Sequence, residues 1–410
     1  MTSAKGRGAD MFLFALKNMA TKKIQLLLVI LSVVVSAGIG VLAYNVAGQV
    51  SDGITGTAGY FGVIVGPSGS KTQLAMNTMY FTDTPLGTLP YETAEALAAD
   101  PRVKEAVPFS MADNYKGAPV IGTTPAFLRE KTLAKGDMFA SDGLFEVVVG
   151  ASVAKKNKLS VGDSIRTGHS ATEMHASPFT VVGILEESHT AYDNVVFVSL
   201  PSLWAVHDSG HDEEPHGDGD DHAHMHDAVC AVLLSVKNPS YAMQIVNEYD
   251  GKIITDEDGD SVALTAIEPM ETVRSVLEEA DNTKYLVFVL CGVILVMNII
   301  IVSVVTLLNM MYAKGEISLM RLIGIGMKKI NLLYLTENGL VGLVSVLLAF
   351  GLSRLCLGFM QEYVSSMGVV LNGGKVYPAE IFILLGVFLI SVLPTVICTF
   401  VMSRRDGLGD

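Results

Sequence analysis

The sequence predicts a membrane α-helical protein with four transmembrane helices and an extracytoplasmic mixed α/β domain inserted between helices 1 and 2. The 410 residues combine a mean hydropathy of +0.44 with a formal net charge of −14 and only 17% charged residues. The acidic residues are concentrated in residues 48–284, which hold 35 Asp and Glu against 15 Lys and Arg. Apolar membrane segments and one acidic soluble block explain this combination, whereas a nucleic-acid-binding protein would need a clustered basic face.

Four segments have the roughly 20 apolar residues that a helix needs to cross a bilayer. They are predicted at residues 24–51, 285–313, 330–353 and 381–403. The first segment follows Lys22 and Lys23, as the core of a signal peptide would. Its apolar stretch is longer than a signal core and no small-residue cleavage site follows it, so we expect this helix to be retained.

Basic residues predict the orientation of these helices, because short flanks rich in Lys and Arg stay on the cytoplasmic side. Residues 1–23 hold five Lys or Arg against one Asp, and residues 314–329 hold four against one Glu. The tail 404–410 begins with two arginines. We therefore expect both termini in the cytoplasm of a multi-pass protein of the cell membrane, inner or plasma. Residues 52–284 and the loop 354–380 then lie outside.

The outer block has the mixed pattern of an α/β domain, in which apolar runs between turn residues predict strands and amphipathic segments predict helices. The predicted strands include 60–66, 103–108, 179–185 and 228–236, and the predicted helices include 93–99, 151–158 and 241–247. Before the first span, residues 10–23 place apolar side chains along one face, which is typical of a helix in the membrane interface. An unstructured tail is the alternative for that segment.

The stretch that follows the second predicted span, YAKGEISLMRLIGIGMKKINLLYLTENG, resembles the MacB/FtsX-like permeases of ABC transporters. In that family a short Glu-led cytoplasmic helix ends in a Gly-rich turn, and a third span bearing Glu and Gly comes next. Here the helix is 315–323, the turn is 324–326 and the span carries Glu337. The runs VVVGASVAKKNKLSVGDSIRTG in the outer block and ALKNMATKK before the first span also resemble the family.

The resemblance implies a permease subunit that acts as a dimer, with a second copy or a related paralogue, and with a separate cytoplasmic ABC ATPase. The coupling helix 314–329 would contact that ATPase through Glu316 and Arg321, and Gly324 and Gly326 would form its turn. The alternative for Glu316 and Arg321 is an ordinary solvated pair of charges. An extracytoplasmic binding or adaptor protein is a further candidate partner, and nucleic acid is not expected.

Two further features bear on chemistry. A carboxylate inside a membrane span is a functional-site hypothesis, so Glu337 is a candidate, with a snorkelling anchor as the alternative. The segment Gly66 to Thr72, GPSGSKT, resembles a phosphate-binding loop but lacks the glycine directly before the lysine. We therefore expect a non-catalytic subunit that requires no cofactor and leaves ATP hydrolysis to its partner.

Residues 207–227 combine six histidines with eight Asp or Glu, a composition that does not build a packed core. Neutral imidazoles with carboxylates favour Zn²⁺, followed by Ni²⁺ and Cu²⁺. We predict a flexible metal-capture segment with the ligands His207, His211, His216, His222, His224 and His226. A solvated acidic loop is the alternative. The histidines outside this segment are interpreted as ordinary surface or core residues: His169, His175 and His189.

Two functions follow from these observations. The first is an ABC permease that exports or hands over a substrate, with a transition metal such as zinc or a metal complex as the leading candidate. The second is a signal transmitter that activates or senses an extracytoplasmic partner without transport. The sequence alone does not separate the two.

Overall fold

The computed structural model describes residues 19, 23–57, 60–169, 174–208, 228–255, 261–365 and 369–406. The described residues divide into two compact units. The helical unit takes its residues from Met1–Gly48, Asp281–Met360 and Gly373–Asp410, and the sheet unit takes them from Gln49–Ala280 and Gln361–Asn372.

Helices and strands are numbered here in chain order. The helices are α1 (Lys23–Thr57), α2 (Lys71–Tyr80), α3 (Tyr91–Ala98), α4 (Ala151–Asn157), α5 (Leu200–Asp208), α6 (Ser240–Tyr249), α7 (Pro269–Leu322), α8 (Met327–Ser365) and α9 (Pro378–Asp406). The strands are β1 (Val63–Pro67), β2 (Leu89–Pro90), β3 (Val103–Tyr115), β4 (Ala118–Thr123), β5 (Leu133–Gly136), β6 (Glu146–Val149), β7 (Ser164–Ile165), β8 (Phe179–Leu185), β9 (Val196–Ser199), β10 (Ala228–Val229), β11 (Ala231–Val236), β12 (Ile253–Thr255) and β13 (Ser261–Ile267).

One mixed sheet organises the sheet unit. Among the described residues it has eleven strands, in the order β12-β13-β1-β11-β3-β4-β9-β6-β8-β5, with β7 paired to β8. Its pairs are antiparallel except for β4 with β9 and β6 with β8. The strands β2 and β10 form a separate small pair.

Both faces of this sheet are covered, which explains why its central strands are continuous apolar runs. Along β1, Val63 and Val65 pack into a cluster with Leu97 of α3 and Ile245 of α6. The intervening Ile64 packs on the opposite face, in the largest apolar cluster of the unit. This alternation follows from the two-residue period of a strand.

Three helices of the described chain are long and apolar enough to cross a bilayer. They are Leu26–Gly53 of α1, Met327–Gln361 of α8 and Pro378–Ile397 of α9. The predicted second span, 285–313, lies within α7, where the described apolar stretch Gly292–Val305 is shorter than a bilayer requires. That span therefore stays a prediction.

The prediction of a separate helix at 315–323 differs from the structure, because α7 continues without a break from Pro269 to Leu322. Residues 281–322 contain no proline and only two glycines, so nothing in the sequence stops the helix earlier. The stop comes at Gly324, whose φ is +88°. The N–H of Gly324 donates to the carbonyl oxygen of Arg321 at 2.9 Å, and the N–H of Ile325 donates to the carbonyl oxygen of Met320 at 3.0 Å. This pair of hydrogen bonds is the Schellman pattern of helix termination.

The segment that resembles a phosphate-binding loop connects β1, which ends at Pro67, to α2, which begins at Lys71. Ser70 caps this helix by accepting a hydrogen bond from the N–H of Gln73 at 3.3 Å. The Lys71 ammonium pairs with Asp250 at 2.7 Å. The side chain of Lys71 is therefore paired with a carboxylate of the same domain.

A buried polar cluster joins three helices of the helical unit. Arg354 of α8 pairs with Glu380 of α9, and Asn45 of α1 donates to the same carboxylate at 2.5 Å. The side chain of Glu380 is fully buried, and that of Arg354 is 16% exposed. Asn45 and Arg354 each also donate to the carbonyl of Lys375 at 2.9 Å. These bonds satisfy polar groups that would be costly to leave unpaired among apolar helices.

Candidate functional site

Three histidines and one aspartate of the sheet unit converge on one point. Asp113 lies near the end of β3, directly after an irregularity in the β3–β4 register between Met111 and Asp113. Such bulges re-aim the side chains that follow them. His169 and His175 flank the segment between β7 and β8, and His207 lies in the last turn of α5. A backbone bridge between Asn114 and Gly168 holds the β7–β8 segment against β3.

The four side chains, called here the His-Asp cluster, surround a single carboxylate oxygen. Asp113 Oδ1 lies 3.1 Å from His175 Nε2, 3.3 Å from His169 Nδ1 and 3.4 Å from His207 Nε2. The three imidazole rings are 4.9 to 5.2 Å apart between centroids. One donor atom from each residue lies within 4.8 Å of all the others.

Hydrogen bonds from neighbouring groups orient the side chains of Asp113 and His207. Thr167 donates its hydroxyl to the second oxygen of Asp113, Oδ2, at 3.1 Å, which leaves Oδ1 to face the histidines. His207 Nδ1 lies 2.8 Å from the carbonyl of Leu203 and must donate to it, since a carbonyl can only accept. The Nε2 atom of His207 is buried and has no hydrogen-bond partner in the described structure.

Burial decreases across the cluster. The Asp113 side chain is fully buried, those of His207 and His175 are 11% and 14% exposed, and that of His169 is 49% exposed. Solvent therefore reaches the cluster from the side of His169. Burial alone would raise the pKa of Asp113, but the adjacent His175 and His207 outweigh it and hold that pKa well below its usual range. For His207, burial lowers the pKa and Asp113 outweighs it, so the pKa is raised.

Three imidazole nitrogens and one carboxylate oxygen are a donor set that could hold a metal ion. The sequence predicted one of the four, His207. The other predicted ligands, His211, His216, His222, His224 and His226, lie outside the described residues. His169 and His175, interpreted from the sequence as ordinary surface or core residues, lie beside Asp113, because the Asn114–Gly168 bridge holds this part of the chain against β3. His189 lies elsewhere, with Nε2 at 3.1 Å from Asn372 Nδ2.

A second site is the corner where α7 turns into α8. Two of the predicted coupling residues, Glu316 and Arg321, are exposed at the end of α7. Between them Ile317 is buried against Ile330 and Tyr334 of α8, so the two helices pack together at the corner. Gly324 occupies the left-handed position that ends α7, whereas Gly326 precedes α8 without a positive φ.

Apolar residues at this corner escaped the sequence prediction. Leu322 and Ile323 are 82% and 80% exposed, and Leu319, one turn earlier, is 61% exposed. Lys328 and Lys329 follow them directly. The exposure of Leu319, Leu322 and Ile323 makes this end of α7 a candidate contact surface. The signal in the sequence was the run of apolar residues at the end of the predicted helix 315–323, directly before the Gly-rich turn.

The intramembrane candidate Glu337 lies on α8 and is buried, with 8% exposure. Its carboxylate is therefore enclosed by protein atoms within the helical unit. Its function, whether in the mechanism or as an anchor, stays a prediction.

The two corner glycines make a matched pair for mutation. Replacing Gly324 with alanine forces a side chain into the left-handed region, which costs roughly 1–2 kcal/mol. Replacing Gly326 meets open space and no unfavourable φ. We expect Gly324→Ala to lower the stability of the corner, measured by amide hydrogen exchange of residues 319–330, and Gly326→Ala, which changes only the N-cap residue of α8, to lower it less. Equal effects of the two substitutions would contradict the assignment of the helix stop to Gly324.

Comparison with known proteins defines the class. Residues 24–248, more than half of the chain, match the family model of the MacB-like periplasmic core domain, and residues 287–406 match the FtsX-like permease C-terminal model. The chain is also similar to the crystal structure of the periplasmic region of MacB from Actinobacillus actinomycetemcomitans. That similarity has 10% sequence identity and a TM-score of 0.35, over 56% of this chain and 98% of that one. The search of curated proteins found no match.

These matches and the three apolar helices define a membrane protein with an extracytoplasmic domain, of the class of ABC transporter membrane subunits. The chain belongs to the MacB/FtsX-like family of ABC permeases, as the coupling segment and the outer block predicted from the sequence. The family implies a cytoplasmic ATPase partner.

Proposed function

We propose that this chain is the permease subunit that couples ATP hydrolysis by a separate cytoplasmic ATPase to movement of its extracytoplasmic domain. The movement would export or hand over a substrate outside the bilayer. The observation that carries the proposal is the pair of family matches, which cover the outer domain and the C-terminal helices in one chain. The subunit would act as a dimer with a second copy or a related paralogue, both termini being cytoplasmic.

The continuous helix α7 supports a mechanical path for this coupling. It begins two residues after β13 and ends at the α7–α8 corner. Its 54 residues correspond to about 80 Å of helix at about 1.5 Å per residue. An unbroken helix transmits a displacement at one end to the other as a rigid body. A nucleotide-driven shift at the corner would thus pass into α7.

The α7–α8 corner is the surface proposed to contact the ATPase. Its basic flank, with Lys328 and Lys329, belongs on the cytoplasmic side by the distribution of positive charges. Exposed Leu322 and Ile323 would provide apolar contacts in this interface, and Glu316 and Arg321 are exposed in the last turns of the same helix. The packing of Ile317 against α8 gives this surface a fixed shape.

The test is complex formation and ATP hydrolysis in lipid nanodiscs that contain this chain and its cognate ATPase. We expect the wild-type chain to retain the ATPase on purification and to stimulate its activity. The variant Leu322→Asp should weaken complex formation by about 30-fold or more, as loss of an anchor of about 2 kcal/mol predicts.

The control for this test is Leu144→Asp, which changes a residue of the sheet unit that is 56% exposed. It should leave both complex formation and stimulation intact. Full stimulation by Leu322→Asp would contradict the assigned contact surface, and a wild-type chain that neither binds nor stimulates the ATPase would contradict the permease proposal itself. Vesicle assays with radioactive zinc then test whether ATP hydrolysis drives transport of this metal.

A further inference from the structure

We propose that the His-Asp cluster is a four-ligand binding site for a divalent transition-metal ion, and specifically for Zn²⁺. The ligand atoms are Asp113 Oδ1, His169 Nδ1, His175 Nε2 and His207 Nε2. The proposal goes beyond the coupling function, because it concerns the outer domain alone and holds whether or not zinc is what the permease moves.

The distances match the requirement of a tetrahedral ion. Zinc bonds to nitrogen and oxygen are about 2.0 Å long, so that two ligands of one tetrahedral ion lie about 3.3 Å apart. Asp113 Oδ1 lies 3.1, 3.3 and 3.4 Å from the three ring nitrogens. All four donors lie within 4.8 Å of one another, so the wider pairs need only a small inward movement to enclose an ion.

Two outer hydrogen bonds have the arrangement that metal sites require. A ligating histidine usually donates its other ring N–H to a carbonyl or carboxylate, which fixes the tautomer and directs the free lone pair to the metal. His207 does this through Nδ1 and the carbonyl of Leu203, at 2.8 Å. Thr167 likewise holds Asp113 Oδ2 at 3.1 Å and leaves Oδ1 for the ion.

The alternative is a polar cluster without metal, in which His207 is protonated and directs its Nε2–H at Asp113 Oδ1. With Nδ1 protonated, a neutral His207 ring presents a lone pair at Nε2. This atom is buried, lies 3.4 Å from the negatively charged Asp113 Oδ1 and has no hydrogen-bond partner in the described structure. Two electron-rich atoms that face each other in a buried place need a positive charge between them, which is either a bound metal ion or the proton of an imidazolium, and the zinc measurements below distinguish the two.

The donor set identifies the class of ion. Three imidazoles and one carboxylate, without sulfur, suit Zn²⁺, Cu²⁺ and Ni²⁺ better than Ca²⁺ or Mg²⁺, which take oxygen ligands. A tetrahedral arrangement favours Zn²⁺ over Cu²⁺ and Ni²⁺, which prefer tetragonal geometry. The half-exposed His169 provides an entry from solvent. His207 is also the first histidine of segment 207–227.

The test must separate the cluster from segment 207–227. In the reference chain, full-length and in detergent, the histidines of the segment other than His207 are replaced by glutamine: His211, His216, His222, His224 and His226. Zinc affinity is measured by competition with a chromophoric chelator, and coordination by the visible absorption of bound Co²⁺. We expect the reference chain to bind one zinc ion and to give the intense bands of tetrahedral Co²⁺.

Loss of one ligand should reduce zinc affinity by about 100-fold or more, since even loss of an outer-shell partner costs about 10–100-fold. We expect this of His175→Ala, of Asp113→Asn and of His169→Ala. His169 is half-exposed, so its replacement by alanine opens no buried cavity. A loss of zinc affinity in this variant would therefore not be explained by misfolding.

The control is His189→Asn, a histidine of the same unit outside the cluster. Asparagine tolerates the positive φ of 55° at this position, so the backbone is preserved. It should leave zinc affinity and the Co²⁺ spectrum unchanged. A reference chain that binds no zinc, that gives an octahedral Co²⁺ spectrum, or that binds zinc as tightly after His169→Ala as before would overturn the proposal.

Discussion

Replacing Arg354 with methionine is expected to lower the free energy of unfolding of the helical unit by about 3–5 kcal/mol. The reason is the fully buried Glu380, whose carboxylate would be left without its ion-pair partner. The remaining bonds to Glu380 Oε1, from Asn45 and from the N–H of Tyr377, do not neutralise it. Breaking a buried ion pair by removing one partner is much more costly than removing both charges.

The double variant Arg354→Met with Glu380→Gln separates charge from packing. Glutamine keeps an oxygen for Asn45 and Tyr377 while both charges are removed, so we expect it to recover most of the lost stability. Unfolding is followed by circular dichroism in mixed micelles of rising SDS content. Lys328→Met, at an exposed position, should change stability by no more than about 0.5 kcal/mol. A double variant as unstable as Arg354→Met alone would show that the ion pair is not the cause.

Zinc is expected to stabilise the sheet unit of the reference chain by about 2.7 kcal/mol when its free concentration is about 100 times the Kd. The fluorescence of Trp204 reports this directly. Trp204 is the chain's single tryptophan, it lies one turn before His207 on α5, and its Nε1 donates to the carbonyl of Ala228 at 3.0 Å. Thermal unfolding with and without zinc gives the shift in Tm.

The stabilisation should depend on pH in one direction. Imidazoles bind the metal only when neutral, so protons compete with zinc for the three histidines as the pH falls. The zinc-induced rise in Tm should thus be present at pH 7.5 and lost by about pH 5. Asp113→Asn should lose most of it at every pH, while His189→Asn should keep it. A rise in Tm that persists in Asp113→Asn would place the zinc elsewhere.

Local patterns predicted much of the sheet unit. The strand expected at 179–185 is observed with those bounds, and the helix expected at 151–158 is observed as Ala151–Asn157. Both have apolar patterns of the proper period, bounded by turn residues. The helix α2 was missed because TQLAMNTMY has no clear apolar face. Its signal was Ser70 followed three residues later by Gln73, the pattern of a capping box.

The His-Asp cluster could not be derived in the same way. Its members are spread over 95 positions, from Asp113 to His207, and they meet only because of pairings remote in sequence. The bulge before Asp113 and the bridge from Asn114 to Gly168 have no local signature in the sequence. A histidine-rich segment is visible from composition, whereas a site assembled by a sheet is visible only when the strand order is known.

The α7–α8 corner lies between these cases. Gly324 was predicted as part of a turn, and its φ of +88° gives that prediction a physical cause. The continuity of α7 through Gly315 was not predicted, because the family resemblance suggested a separate helix. Glycine in a helix interior costs only about 1 kcal/mol, so one such residue does not end a long helix.

The most direct test of the metal site is the zinc X-ray absorption spectrum of the reference chain, in which the five histidines of segment 207–227 after His207 are replaced. We expect four nitrogen or oxygen ligands at about 2.0–2.1 Å, with the multiple-scattering features of about three imidazoles. The same spectrum should be lost in His175→Ala. A six-ligand shell without imidazole scattering, or a spectrum unchanged by His175→Ala, would contradict a zinc site built from Asp113, His169, His175 and His207.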